Sequence, residues 1–83
     1  MSRPLYVRVH ARDNVVIVVN PEGLPAGSVF PDGLTLREAI PQAHKVALTD
    51  LQPGDPIIRY GQIIGLAERP MAQGAWVRED LLS

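Results

Sequence analysis

The chain has 83 residues, eight basic against nine acidic, and no cysteine, which makes it one small domain with a thin core. Without thiols it has no disulfide, no thiolate nucleophile and no thiolate metal site. A net charge of −1 and four scattered aromatics, Tyr6, Phe30, Tyr60 and Trp76, argue against a phosphate-backbone surface or a base-stacking platform. MSRPLYVRVH carries no apolar run long enough for a signal peptide and nothing later could span a bilayer, so a soluble, cytoplasmic protein is predicted, with no nucleic acid and no membrane among its partners.

In chain order, Leu5 to His10 alternates, with Leu5, Val7 and Val9 on one side and Tyr6, Arg8 and His10 on the other. Asn14 to Val19 is a continuous β-branched run, the pattern of a strand covered on both faces. Leu34 to Ile40 admits a single helical turn or an alternating strand. Lys45 to Leu48, Pro56 to Tyr60 and Gln62 to Ala67 read as strands, and Ala75 to Val77 as a last short one. Eight prolines and seven glycines punctuate the chain throughout, leaving no room for a long helix. The predicted class is all-β, built of short, strongly bent strands with at most one or two helical turns.

One pattern recurs. Leu24-Pro25-Ala26-Gly27, Ile40-Pro41-Gln42-Ala43, Leu51-Gln52-Pro53-Gly54 and Met71-Ala72-Gln73-Gly74 each pair an apolar anchor with a small fourth residue. Physically this is a corner whose anchor enters the core and whose fourth residue needs positive φ or a close backbone approach. The copies start sixteen, eleven and twenty residues apart, too irregular for a solenoid.

The stretches VHARDNVVIVVN, PDGL, IPQAHKVALTD and IIRYGQIIGLA occur in order. Together they resemble the amino-terminal SAF domain of the galactarate/altronate dehydratase family, most like the galactarate dehydratase branch, from about Tyr6 to Val77. The resemblance implies a β-clip fold over residues 1–83. It also implies a larger enzyme whose carboxy-terminal catalytic domain, or large subunit, lies outside this chain. Such an enzyme removes water from a sugar diacid, giving a 2-keto-3-deoxy acid, with a divalent metal such as iron. The family's central block is usually Gly-His-Lys; here it is Ala43-His44-Lys45, with alanine acceptable if its φ stays negative.

Two clusters are candidates for chemistry. Dehydration beside a carboxylate needs negative charge absorbed as an enediolate forms, and a Lys ammonium or protonated His can do so. Histidine can also protonate the departing hydroxyl. His44 and Lys45, expected to be exposed at a strand edge, are therefore the candidate catalytic pair; the plainer reading is a turn cap and a solvated charge. His10, Asp13 and Asn14 form the second cluster, as substrate-binding residues or as ordinary corner residues bonding to backbone. Arg59 can grip a carboxylate in bidentate fashion, and Gly61 can admit a ligand or merely turn the chain. A metal ligand, if this domain gives one, is His10 or His44. Asp50 reads as the residue closing the Leu51 to Gly54 turn, and Trp76 as core or as a contact for a further domain.

The leading expectation is a sugar-acid hydro-lyase domain that lines part of the active-site cleft and is inactive alone. The alternative is a non-catalytic assembly or ligand-binding module, or the small subunit of an altronate dehydratase or sulfolactate sulfo-lyase. A homodimer is compatible with either.

Overall fold

The computed structural model describes residues 3–78. They form six strands, β1 (Tyr6–Val7), β2 (Val15–Val18), β3 (Lys45–Ala47), β4 (Pro56–Arg59), β5 (Gln62–Leu66) and β6 (Trp76–Val77), with no helix among the described residues. An antiparallel sheet runs in the order β1-β2-β3-β6, and β4 and β5 make a separate hairpin. The all-β class predicted from the sequence is the class observed.

The β-branched run becomes β2 because both of its faces are needed. Val16 and Val18 enter a core with Leu24, Phe30, Leu34, Leu36, Ile40 and Val46. Val15, on the opposite face, enters a second core with Ala47, Leu51, Ile57, Ala67, Met71 and Val77. β2 and β3 thus form a wall between two half-cores, which is why neither strand alternates with polar residues. The segment from Leu34 to Ile40 resolves as extended: Leu34 and Leu36 are buried, Thr35 between them is exposed, and Thr35 bridges Val29.

The four recurring turns serve one purpose, and they pair. Leu24 and Ile40 exchange both backbone hydrogen bonds, at 2.9 Å each. Leu51 and Met71 do the same, at 2.7 and 2.9 Å. In every copy the fourth residue donates its N–H to a backbone carbonyl across the clip: Gly27 to Leu36, Ala43 to Val18, Gly54 to Ala67 and Gly74 to Ala47. Each of those four acceptor residues donates back to the fifth residue of the turn, Ser28, His44, Asp55 or Ala75. Closing this two-bond clip puts the fourth residue in the left-handed region, at φ of 87° for Gly27, 90° for Gly54 and 88° for Gly74. Ala43 has φ of 71°, so the expectation of negative φ there is corrected: the clip dictates the backbone, and alanine is held in a glycine conformation.

β1 keeps its alternation but exposes its apolar side. It is two residues long, and Leu5, Val7 and Val9 are the exposed side. Tyr6 points inward instead, edge-on to Phe30 with centroids 4.9 Å apart, and its hydroxyl donates to Asp32. Asn20, buried at the far end of β2, anchors the segment by accepting Leu5 N–H at 2.9 Å and donating to the Arg3 carbonyl at 2.8 Å.

Candidate functional site

The Ile40 to Ala43 turn delivers the chain directly into β3, so His44 and Lys45 are positioned by a clip at one end and a ladder at the other. His44 donates its N–H to Pro41 O at 3.2 Å, and its own carbonyl accepts from Val18. β3 is interior to the sheet, between β2 and β6. The expectation of a strand-edge pair is therefore corrected: His44 is exposed, but Lys45 is 7% exposed, its stem enclosed by the strands on either side. Lys45 is not the solvated charge of the plainer reading.

β6 pairs with β3 in the register Lys45 to Val77 and Val46 to Trp76. Trp76 sets its indole nearly perpendicular to the His44 ring, centroids 5.1 Å apart, and Arg78 lies over the Trp76 ring at 4.6 Å. Arg59 arrives from the other sheet. β4 and β5 are joined by Tyr60-Gly61, with φ of 57° and 71°, the two-residue turn whose twist matches a hairpin. Arg59, paired with Gln62 across that turn, stacks over the Tyr60 ring at 4.7 Å.

These elements enclose a cleft of about 470 Å³ lined by Ala43, His44, Lys45, Arg59, Trp76, Val77 and Arg78. Three residues singled out from the sequence, His44, Lys45 and Arg59, thus share one cavity although fifteen residues separate His44 from Arg59. Four basic side chains line it, on a chain whose net charge is −1. The Arg59 Nε and the Trp76 Nε1, both buried, have no hydrogen-bond acceptor among the described residues. Buried donors in that state favour an added acceptor.

His10, Asp13 and Asn14 do not line this cleft; they hold its back wall. The Asp13 carboxylate, buried, accepts N–H groups from His10 at 3.1 Å and Gly61 at 2.8 Å. Burial raises its pKa, but hydrogen bonds from the backbone of Gly61, Tyr60 and His10 outweigh that and set it below the ordinary value of 3.8. The His10 ring packs on Gly61, where a Cβ would stand 3.0 Å from the imidazole, and its Nδ1 accepts Arg12 N–H at 3.0 Å. Asn14 works like Asn20: it donates to Pro56 O and accepts from Ile58 N, both at 2.8 Å, pinning β4 to the end of β2. Asp50 accepts Gln73 N–H at 2.8 Å, so it closes the turn at Met71; Asp55, bonded to Gln52 N–H at 2.8 Å, closes the turn at Leu51.

Trp76 and Arg78 are the cleft residues that the sequence reading did not assign. Their signal was present: in Trp76-Val77-Arg78 the two flank a buried valine, hence share a face. A divalent metal does not fit the described residues by themselves, since no three His, Asp or Glu side chains converge and one nitrogen of His10 already accepts a backbone N–H. Among the described residues no helix is long and apolar enough to cross a membrane.

Comparison with known proteins assigns the family. The family model described as the altronate/galactarate dehydratase SAF domain matches residues 4–83. The chain is 53% identical to the galactarate dehydratase (L-threo-forming) of Escherichia coli K12 over 93% of its own length. It is 39% identical to an altronate dehydratase of the same strain over 87% of its length. It spans 15% of each of those proteins. A third relative is short: the (2R)-sulfolactate sulfo-lyase subunit alpha of Chromohalobacter salexigens, 36% identical over 83% of both chains.

Proposed function

The chain belongs to the altronate/galactarate dehydratase SAF domain family, and we propose that it supplies one wall of the active-site cleft of a sugar-acid hydro-lyase. The observation that carries this is the convergence of His44, Lys45 and Arg59 on one cavity. A sugar diacid is the substrate class supported by the 53% identity to a galactarate dehydratase, so galactarate is the substrate put forward. The rest of the cleft belongs to a catalytic domain or large subunit beyond this chain, and the domain alone is inactive. A cytoplasmic enzyme is part of the same reading.

Within the cleft each group has a task. Arg59, with an unsatisfied Nε and a ring beneath it, binds a substrate carboxylate. Lys45 keeps its ammonium in a mostly enclosed setting, where a positive charge stabilises a neighbouring enediolate more strongly than in water. His44, exposed and braced by Trp76, delivers a proton to the departing hydroxyl. Asp13, Asn14 and His10 fix the β4–β5 hairpin and hence Arg59. The divalent metal implied by the family is one for ligands outside this chain, with His10 or His44 at most a single donor; none of the tasks above uses it.

The test is steady-state kinetics of the full-length enzyme carrying this domain. His44→Ala and Lys45→Met are each expected to lower kcat/KM by about 10²-fold or more, the usual scale for a general acid or an oxyanion donor. Full kcat/KM in both variants refutes the catalytic wall.

One observation favours the assembly reading. Ile63 and Ile64 of β5 point to opposite faces, yet are 63% and 42% exposed, with Tyr60 and Leu66 beside them also exposed. A bare apolar edge strand of this kind marks a protein contact. Under that reading the domain docks a larger lyase chain through β5, and chemistry survives every cleft substitution that leaves docking intact.

A further inference from the structure

We infer that Tyr60 is a positioning residue for Arg59: its ring, carried on a strained turn outside the cavity, sets where the Arg59 guanidinium stands within it. The inference rests on the dehydratase reading above, in which Arg59 binds a substrate carboxylate. The two residues are adjacent in the chain, yet their side chains touch twice. The Arg59 Cζ lies 4.7 Å from the centre of the Tyr60 ring, and its Nη2 donates to the Tyr60 hydroxyl at 3.3 Å. A face contact and a hydrogen bond to one ring together restrict the position of a guanidinium on a long, flexible stem. The Arg59 Nε is left without an acceptor among the described residues, so the ring holds the group without occupying all of its donors. Tyr60 itself is 55% exposed and lies outside the cavity lining that includes Arg59. It therefore acts through the arginine.

The backbone supplies an independent reason. Tyr60 has φ of 57°, in the left-handed region where a bulky side chain is an outlier. Before glycine in a two-residue hairpin turn, asparagine or aspartate is the residue that fits. Tyrosine is locally a poor choice there, and such a conformation persists only when the surroundings impose it. Those surroundings are the His10 and Asp13 cluster. The buried Asp13 carboxylate accepts the N–H groups of both Tyr60 and Gly61, the latter at 2.8 Å, and the His10 ring packs on Gly61. Strain imposed by a buried carboxylate, at a residue whose ring meets a cavity arginine, points to a side chain kept for position and not for stability.

The experiment sets stability against binding in Tyr60→Asn. Asparagine suits the turn, so melts of the 83-residue variant chain should show Tm unchanged or raised. In the full-length enzyme KM for galactarate should nonetheless rise about two- to tenfold, the scale of one side chain that must be ordered on binding, with kcat little changed. Tyr60→Phe, which keeps the ring, should retain most of the affinity. Arg59→Gln is expected to raise KM about ten- to a hundredfold. Adding Tyr60→Asn to it should raise KM no further, because residues that act as one unit are not additive. An unchanged KM in Tyr60→Asn, a lowered Tm, or the same KM rise in the Arg59→Gln background overturns the inference. If Arg59→Gln is impaired while Tyr60→Asn keeps its KM, only this inference falls; if Arg59→Gln, His44→Ala and Lys45→Met all keep full kcat/KM, the dehydratase reading falls and this inference with it.

Discussion

Four corners of identical hydrogen bonding, three ending in glycine and one in alanine, form a natural mutational series. At Ala43 the clip enforces φ of 71°, a conformation costing an L-residue about 1–2 kcal/mol. Replacing Ala43 by Gly removes that cost but gives back about 0.4–1 kcal/mol of chain entropy in the unfolded state. The net is a stabilisation of about 0.5–1 kcal/mol, or about 2–8 °C in Tm for a domain of this size. Gly54→Ala is the mirror case: nothing lies within 4 Å of its added Cβ, so it should lose a similar amount. Gly74→Ala is different in kind. Its Cβ would overlap the carbonyl oxygen of Thr35, and Gly74 O accepts Arg37 N–H at 3.0 Å, so neither backbone can retreat without breaking that bond. A loss beyond about 4 kcal/mol is expected, much of what a small domain has. Thermal melts by circular dichroism, with urea titrations for the free energies, measure all three. The reasoning is refuted if Gly74→Ala is no worse than Gly54→Ala, or if Ala43→Gly lowers Tm.

Further expectations concern the back wall, acid stability and the bare strand. Asn14→Ala removes both side-chain bonds that pin β4 and should cost about 1–3 kcal/mol in urea unfolding. Asp13 and Asp32 are held below the ordinary carboxyl value, the latter chiefly by the Tyr6 hydroxyl. Their stabilisation is therefore present above the unfolded value of 3.8 and is lost as pH falls through the lower folded values. Melts between pH 6 and 2, as a rough span, should show Tm dropping only at the acid end, with a smaller drop in Asp13→Asn. Ile63→Lys changes a residue 63% exposed and should leave Tm within about 2 °C, as surface substitutions do. By analytical ultracentrifugation the same variant should associate less with the large lyase chain; unchanged association removes the support for docking through β5.

The strands were legible because their cause is local. A β-branched run such as Asn14 to Val19 has few alternatives, and the corner motif announces itself through proline, glycine and an apolar anchor. What the motif could not reveal is which corners pair, since Leu24 meets Ile40 and Leu51 meets Met71 only through the global path of the chain. The site divided along the same line. His44, Lys45 and Arg59 were singled out through chemistry and family likeness, whereas Arg78 joins them around one cavity only through the β3–β6 pairing. Which side of β1 faces inward was not legible locally, since Leu5, Val7 and Val9 are apolar but exposed, and Tyr6 packs on Phe30. Lys45 was expected at an edge because nothing local says that a strand thirty-one residues later, beginning at Trp76, will cover it.

That late cover has a kinetic consequence. The partners of β3 on its two sides come from widely separated parts of the chain, and loop-closure entropy must be met before the last pairing yields any gain. Folding should therefore proceed from the β2–β3 wall outward, with β6 among the final additions. Because Trp76 and Arg78 ride on or next to β6, a nascent domain completes the walls around His44, Lys45 and Arg59 only at that last step, and an incompletely folded copy leaves them on an open surface.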